Sequence, residues 1–185
     1  PPGSADRPTE PYKDNLILPS PLSSGAPAYN LGVITRTEGM GWEYYEALKA
    51  NGITVDKGNG AVQNANVAGD KGCGLLADYT AIRSKNDGAP VEFVYPAEGS
   101  PAVTEPIGIV NTTDTPELAE AFVDFVLSEE GQTLTSEIGY TPVKSGVAVP
   151  EGLKGIDEIE LMTWDTEELY QNRDADKDQF TQLFQ

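Results

Sequence analysis

The sequence predicts an α/β fold with a mostly parallel sheet covered by helices. Two observations carry the prediction. Short apolar runs alternate with helix-like stretches from residue 15 to 95, the pattern of repeated strand–helix units. Pro, Gly and Asn punctuate the junctions between them.

Residues 1–14 are Pro-rich and polar and read as an extended lead-in. Residues 15–18 read as a strand stopped by Pro19 and Pro21. A helix follows over 24–36. Pro27 falls in its first turn, where a missing N–H costs nothing, and Tyr29, Leu31, Val33 and Ile34 supply an apolar face. Residues 39–41 break the chain. Residues 42–50 form a second helix, with Trp42, Tyr45 and Leu48 near helical spacing and Asn51-Gly52 as its end. Residues 53–55 are a short strand, Gly58-Asn59-Gly60 a tight loop, and 61–68 a third helix with Val62, Ala65 and Val67 inward. Residues 73–77 read as a buried strand followed directly by Asp78-Tyr79. Residues 80–86 are helical, Gly88 stops them, and 91–95 read as another strand.

Gly99-Ser100-Pro101 marks a break. Beyond it, 107–110 read as a strand. Thr115-Pro116-Glu117 is a helix start: cap, Pro at the first position, then an acid. Leu118, Ala121, Phe122, Phe125 and Val126 follow helical spacing. Residues 131–138 form a shorter helix, 141–155 a loop, and 156–164 an extended segment. A terminal helix covers 166–184, with a break near Asp174. The organisation expected is a lead-in over 1–14, a ligand-binding unit over 15–101, a strand-and-helix segment over 102–146, and a C-terminal segment over 147–185.

Thirty acids against 12 bases give a net charge of −18, which argues against nucleic acid and against anionic membrane surfaces. The chain has no His, which removes His-based triads and His metal sites. An enzyme is therefore not expected, since neither a Gly-rich phosphate motif nor a nucleophile elbow is present. The single Cys73 sits in an apolar run and reads as a buried small hydrophobe. The chain opens on Pro1-Pro2-Gly3-Ser4, which reads as a piece or processed form of a longer protein.

In a parallel sheet, ligands sit beyond the carboxyl ends of the strands. Residues 20–25, 58–60 and 78–79 fall at that end. Ser23-Ser24-Gly25 opens a helix, so its free N–H groups form a candidate anion cradle. The plainer reading makes Ser23 or Ser24 an N-cap. Asp78 is equally readable as an N-cap, and Tyr79 as a ring packed on the following helix.

The order of motifs resembles the extracytoplasmic solute-binding proteins of ABC importers. The branch is the one with ferric-iron, aminoethylphosphonate and sugar-phosphate binders. The match runs through Tyr12-Lys13-Asp14-Asn15-Leu16-Ile17-Leu18-Pro19-Ser20-Pro21 with Ser24-Gly25, then Gly41-Trp42-Glu43-Tyr44 and Leu48-Lys49-Ala50-Asn51-Gly52. It continues through Ala77-Asp78-Tyr79, residues 88–96, residues 121–128 and Glu130-Gly131-Gln132.

The resemblance implies the second lobe of a type 2 periplasmic binding protein: a three-layer α/β/α sandwich with a mixed, mostly parallel sheet and C-terminal helices. It implies a carrier with no catalytic residues and no cofactor, located outside the cytoplasm and docking on a membrane permease. An acidic protein-interaction domain is the alternative from another class. In relatives, the strand near Ile107 and the helix from Pro116 return to the other lobe. Phe122, Phe125 and Val126 would then be exposed, so either repacking onto the second lobe or association between chains is expected. Ser4 and Arg7 stand where relatives usually have Trp and Leu.

For the ligand, Ser20, Ser23, Ser24 and Gly25 match the anion loop of phosphonate- and phosphate-ester-binding relatives, with Ala26 where these commonly carry Thr. Asn59, Gly60 and Gln63 match the second loop and the start of its helix; Gln63 also reads as a packing residue. Asp78 and Tyr79 match the adjacent tyrosines that hold iron in ferric-ion members. Phenolate and carboxylate are both hard oxygen ligands, so ferric iron is the alternative solute. A chain with one lobe is expected to bind either solute weakly.

Overall fold

The computed structural model describes residues 12–185. Most of the lead-in, with Ser4 and Arg7, lies outside the described residues. Its last part is a turn, closed by Asn15 N–H donating to the Tyr12 carbonyl at 3.1 Å.

The central strand β1 (Leu16–Pro19) is buried at every position. A strand paired on both edges and covered on both faces has to be apolar throughout. β2 (Thr54–Asp56) and β3 (Cys73–Gly74) pair with it in parallel, in the order β2-β1-β3. Ile17 stands opposite Thr54 on one side and Gly74 on the other.

The first crossover, from β1 to β2, carries α1 (Gly25–Arg36) and α2 (Gly41–Ala50). The second, from β2 across β1 to β3, carries α3 (Gly58–Ala68). The two crossovers run in opposite directions. Right-handed connections therefore put their helices on opposite faces, giving three layers. α4 (Asp78–Asn86) follows β3 and packs beside α3.

The core forms where Leu16, Leu18, Leu31, Val33 and Leu48 meet Tyr44 and Tyr45. Each buried leucine stabilises the fold by about 1.5–3 kcal/mol. Val62 is buried on α3 as expected, while Val67 faces outward. Cys73 is only half-buried and packs against the core edge.

The C-terminal helix α7 (Thr166–Phe184) runs unbroken through Asp174. Asp165 caps it by accepting from Glu168 N–H at 2.8 Å, and Glu167 and Glu168 suit the positive end of the dipole. Leu169, Asp176 and Phe180 are its buried residues, and the helix packs on α1 and α2. The Phe180 ring meets Tyr45 edge-on at 6.0 Å and stacks on Phe184 at 4.5 Å.

Two compact units divide the chain: one runs to Val103 and resumes at Glu160–Gln185, and the other is Thr104–Ile159. In the first, β4 (Ser100–Pro101) and β5 (Leu161–Met162) form a separate parallel pair beside the points where the chain leaves and returns. In the second, α5 (Pro116–Leu127) starts at Thr115 with Pro116 in its first turn, as the sequence predicts. Ser128 caps α6 (Glu129–Glu137) by accepting from Gly131 N–H at 3.1 Å. Buried Gln132 ties α6 to its surroundings, donating to the Val126 carbonyl and accepting from Val143 N–H. α5 buries none of its residues: Leu118 is 70% exposed and Phe122 60%.

Several expected elements differ. The loop at 58–60 is only a reversal at Gly58 (φ 63°), and all three residues open α3. The strand after residue 72 is confined to Cys73–Gly74, with Leu75 N–H making one further bond to the Ile17 carbonyl at 3.0 Å. Residues 91–95 form no strand: Val91 N–H is taken by the Ala89 carbonyl and Phe93 N–H by the Glu92 side chain, so these donors are spent locally. Residues 107–110 also form no strand. The segment 156–164 holds a 3-10 turn at Ile156–Glu158, and only Leu161–Met162 is strand.

Candidate functional site

Because β1, β2 and β3 run parallel, the helices that follow them begin at one edge of the sheet. α1, α3 and α4 therefore present their N-termini beyond the carboxyl ends of the strands. α4 lies beside α3, so the helices after β1 and β3 leave toward opposite faces, which makes the region between these two strands the switch point where α/β sheets hold ligands.

The β1–α1 junction carries Ser20, Ser23, Ser24, Gly25 and Ala26. Ser20 N–H donates to the Asp56 carbonyl at 2.7 Å, pinning the turn to the end of β2. The Ser20 hydroxyl accepts from Leu22 N–H, and the Ser23 hydroxyl donates to the Ser20 carbonyl. Those two serines build the turn. Ser24 occupies the N-cap position, yet its side chain makes no capping bond among the described residues. Gly25 and Ala26 follow as the first helical residues, and Pro27 next carries no N–H. The junction thus offers an uncommitted hydroxyl and two first-turn N–H groups.

At the β2–α3 junction, Asn59 and Gly60 lie in the first turn of α3, again with no side-chain cap. Lys57 stands at the N-cap position and brings a positive charge that no sequence motif marks, next to the Asp56 carboxylate, whose Oδ1 accepts from the Lys57 N–H at 2.6 Å. Its signal was present, as a base at a strand–helix junction in a chain with only 12. Gln63, one turn further, donates to Ser84 Oγ at 2.6 Å and braces α3 against α4.

The third junction differs. Asp78 is the first residue of α4, one past the cap, and its Oδ1 accepts from Tyr79 N–H at 2.8 Å. Its Oδ2 accepts from the Tyr95 hydroxyl at 2.9 Å. The α4 N-terminus already carries a carboxylate of its own, which offsets its dipole. The Tyr79 ring lies 5.7 Å from the Arg83 guanidinium carbon. Nothing in the sequence flagged Tyr95, which reaches Asp78 through the irregular segment after α4. No group of three or more His, Cys, Asp or Glu among the described residues could hold a metal ion.

A cavity of about 40 Å³ opens at the switch point. Leu18 and Pro19 of β1, Leu76 after β3, Asn59 of α3, and Pro27 and Asn30 of α1 line it, with Phe180 of α7 as a further wall. Of the site residues expected from the sequence, only Asn59 lines the cavity, together with Pro21 and Pro27, which flank the serine turn; Ser20, Ser23, Ser24, Gly25, Ala26, Gly60, Gln63, Asp78 and Tyr79 are not among its lining residues. Asn30 Oδ1 is buried and has no partner among the described residues. Such an orphan costs about 1–3 kcal/mol. The Tyr45 phenol, on the same wall, is pushed far above its ordinary range by burial, with Tyr44 and Asp176 adding to it.

Residues 12–159 match the family model described as bacterial extracellular solute-binding protein. A sulfate-binding protein of Synechocystis sp. (strain ATCC 27184 / PCC 6803 / Kazusa) is 25% identical over 146 residues, 71% of this chain and 41% of that protein. The periplasmic binding protein AfuA from Actinobacillus pleuropneumoniae, solved with fructose-6-phosphate, superposes with a TM-score of 0.83 at 21% identity. The match covers 98% of this chain and 59% of AfuA. Iron-bound HitA from Pseudomonas aeruginosa gives 0.76 at 20%, covering 97% of this chain and 61% of HitA. At these identities the structures speak for the fold alone, that of periplasmic binding protein lobes, and the chain spans less than two thirds of each relative. With four-fifths of its length inside the family model, the chain belongs to the bacterial extracellular solute-binding proteins.

Proposed function

We propose that the chain supplies the second lobe of a two-lobed solute-binding component of an ABC import system, working outside the cytoplasm. It grips a small oxyanionic solute, an organophosphonate or phosphate ester, between the β1–α1 and β2–α3 junctions. The carrying observation is the convergence of two open helix N-termini, α1 and α3, on one edge of a parallel sheet. Free N–H groups and the dipoles attract anions there despite the acidic surface. Ser24, Gly25, Ala26, Asn59 and Gly60 contribute the donors, and Lys57 the local positive charge. Sulfate and fructose-6-phosphate, bound by two of the relatives, are both oxyanions.

Closure of the other lobe over the solute, and delivery to a membrane permease, complete the cycle. The cavity is too small for a whole solute, since ligand sites run to roughly 300–1,000 Å³, so one lobe alone binds weakly.

Ferric iron is the second reading, through Tyr79 and Asp78 as hard oxygen ligands. Iron-bound HitA favours it; the two hydrogen bonds on the Asp78 carboxylate oppose it. Calorimetry of the chain with phenylphosphonate and with ferric citrate separates the two. Heat from the phosphonate alone, at millimolar affinity, is the expected result. Tight ferric binding with a purple-red phenolate band would replace this reading with iron.

A further inference from the structure

We propose that Asn30 reads a hydroxyl group on the bound solute. The inference rests on the oxyanion reading of the α1 and α3 N-termini and adds the solute's other end. Asn30 lies five residues past Gly25, about 7.5 Å along the helix at 1.5 Å per residue. Helical side chains lean back toward the N-terminus, so its amide lies within reach of a group a few bonds from an anion held at Gly25 and Ala26. On α1 it shares a face with Pro27, Leu31 and Ile34, which line the same cavity.

A polar residue on that apolar stripe would normally satisfy itself within the fold. Asn30 Oδ1 does not: this oxygen is buried and has no partner among the described residues, in a half-buried residue that lines the cavity. An amide oxygen accepts, so its complement is a donor. The surrounding wall of Leu18, Pro19, Leu76 and Phe180 is apolar. Such a wall penalises a buried ammonium far more than a neutral hydroxyl. The class selected is a hydroxylated alkyl phosphate or phosphonate, in preference to its alkyl or amino counterpart.

Three probes of equal length test this: 3-hydroxypropyl, butyl and 3-aminopropyl phosphate, titrated into the full chain. The hydroxylated probe should bind about tenfold more tightly than the other two, the worth of one hydrogen bond. Asn30→Leu should abolish the difference and leave the ligand-free melting temperature unchanged or higher. Asn30→Asp should turn the preference toward the aminopropyl probe. Equal binding of the three probes to the unaltered chain overturns this inference alone. So does a fall of several degrees in the melting temperature of Asn30→Leu, which would mean an internal partner. Binding of none of the three removes the oxyanion reading, and this inference with it.

Discussion

Arg36 and Asp176 stand 140 positions apart and meet in a two-pronged ion pair. Arg36 Nη1 donates to Asp176 Oδ2 at 2.8 Å and Nη2 to Oδ1 at 3.2 Å. Glu168 adds a second carboxylate at 3.4 Å. The carboxylates raise the guanidinium's pKa above its ordinary value, with the Asp176 hydrogen bond the largest cause and burial opposing it. The pair fastens α7 to α1, and α7 in turn brings Phe180 to the cavity wall.

Asp176→Ala should therefore cost about 3 kcal/mol in urea unfolding, the low end for breaking a buried pair, because Glu168 still faces the cation. Replacing both partners with Arg36→Met and Asp176→Leu should recover most of that loss. A double variant no more stable than the single one would contradict this and show that apolar packing at these positions cannot replace the ion pair.

Tyr45 sets an alkaline limit. Burial raises its phenol pKa in the folded state, so the folded protein holds that proton more tightly than the unfolded chain. The stability this gives is complete below the unfolded phenol value of about 10 and is lost as pH rises beyond it. Tyr45→Phe keeps the ring against Phe180 and removes the titration. Unfolding midpoints followed above about pH 10 should fall less steeply in the variant than in the unaltered chain.

Gly74 lets α3 lie close on the sheet. A Cβ added there would land 2.5 Å from Val62 Cγ1 and on Asn66 Oδ1. Gly74→Ala should destabilise by about 1–3 kcal/mol through overpacking, read as a lowered denaturation midpoint. Gly25, with nothing near its own added Cβ, is the control: Gly25→Ala should change stability by less.

The apolar face of α5 makes a different forecast. Leu118 and Phe122 are mostly exposed, so a hydrophobic dye should bind the folded chain. Leu118→Ser with Phe122→Ser should reduce the dye signal with little change in melting temperature. A large loss of stability would mean these side chains are packed in solution.

Most of the sheet was legible because its signals are local. Leu16–Leu18 is an apolar run closed by Pro19, and Thr115-Pro116-Glu117 announces α5 within three residues. What was missed depends on distant partners. Asp174 and its acidic neighbours looked like a helix break, but Asp176 is stabilised by Arg36 on another helix. Residues 91–95 have strand composition without a strand's partner. Asp78 was readable as a cap or a ligand; Tyr95, 17 residues away, takes one of its oxygens, which no spacing in the sequence reveals. Asn30 is a polar residue beside Leu31 in the sequence, but its place on the cavity that Phe180 also lines needed the fold.

The most direct test follows the backbone amides while methylphosphonate is titrated into the chain. The N–H resonances of Gly25, Ala26, Asn59 and Gly60 should shift together along one millimolar binding curve, while those of Tyr79 and Thr80, behind the Asp78 carboxylate, move little. Shifts confined to Asp78 and Tyr79, or none at the α1 and α3 N-termini up to saturating phosphonate, would contradict the oxyanion reading.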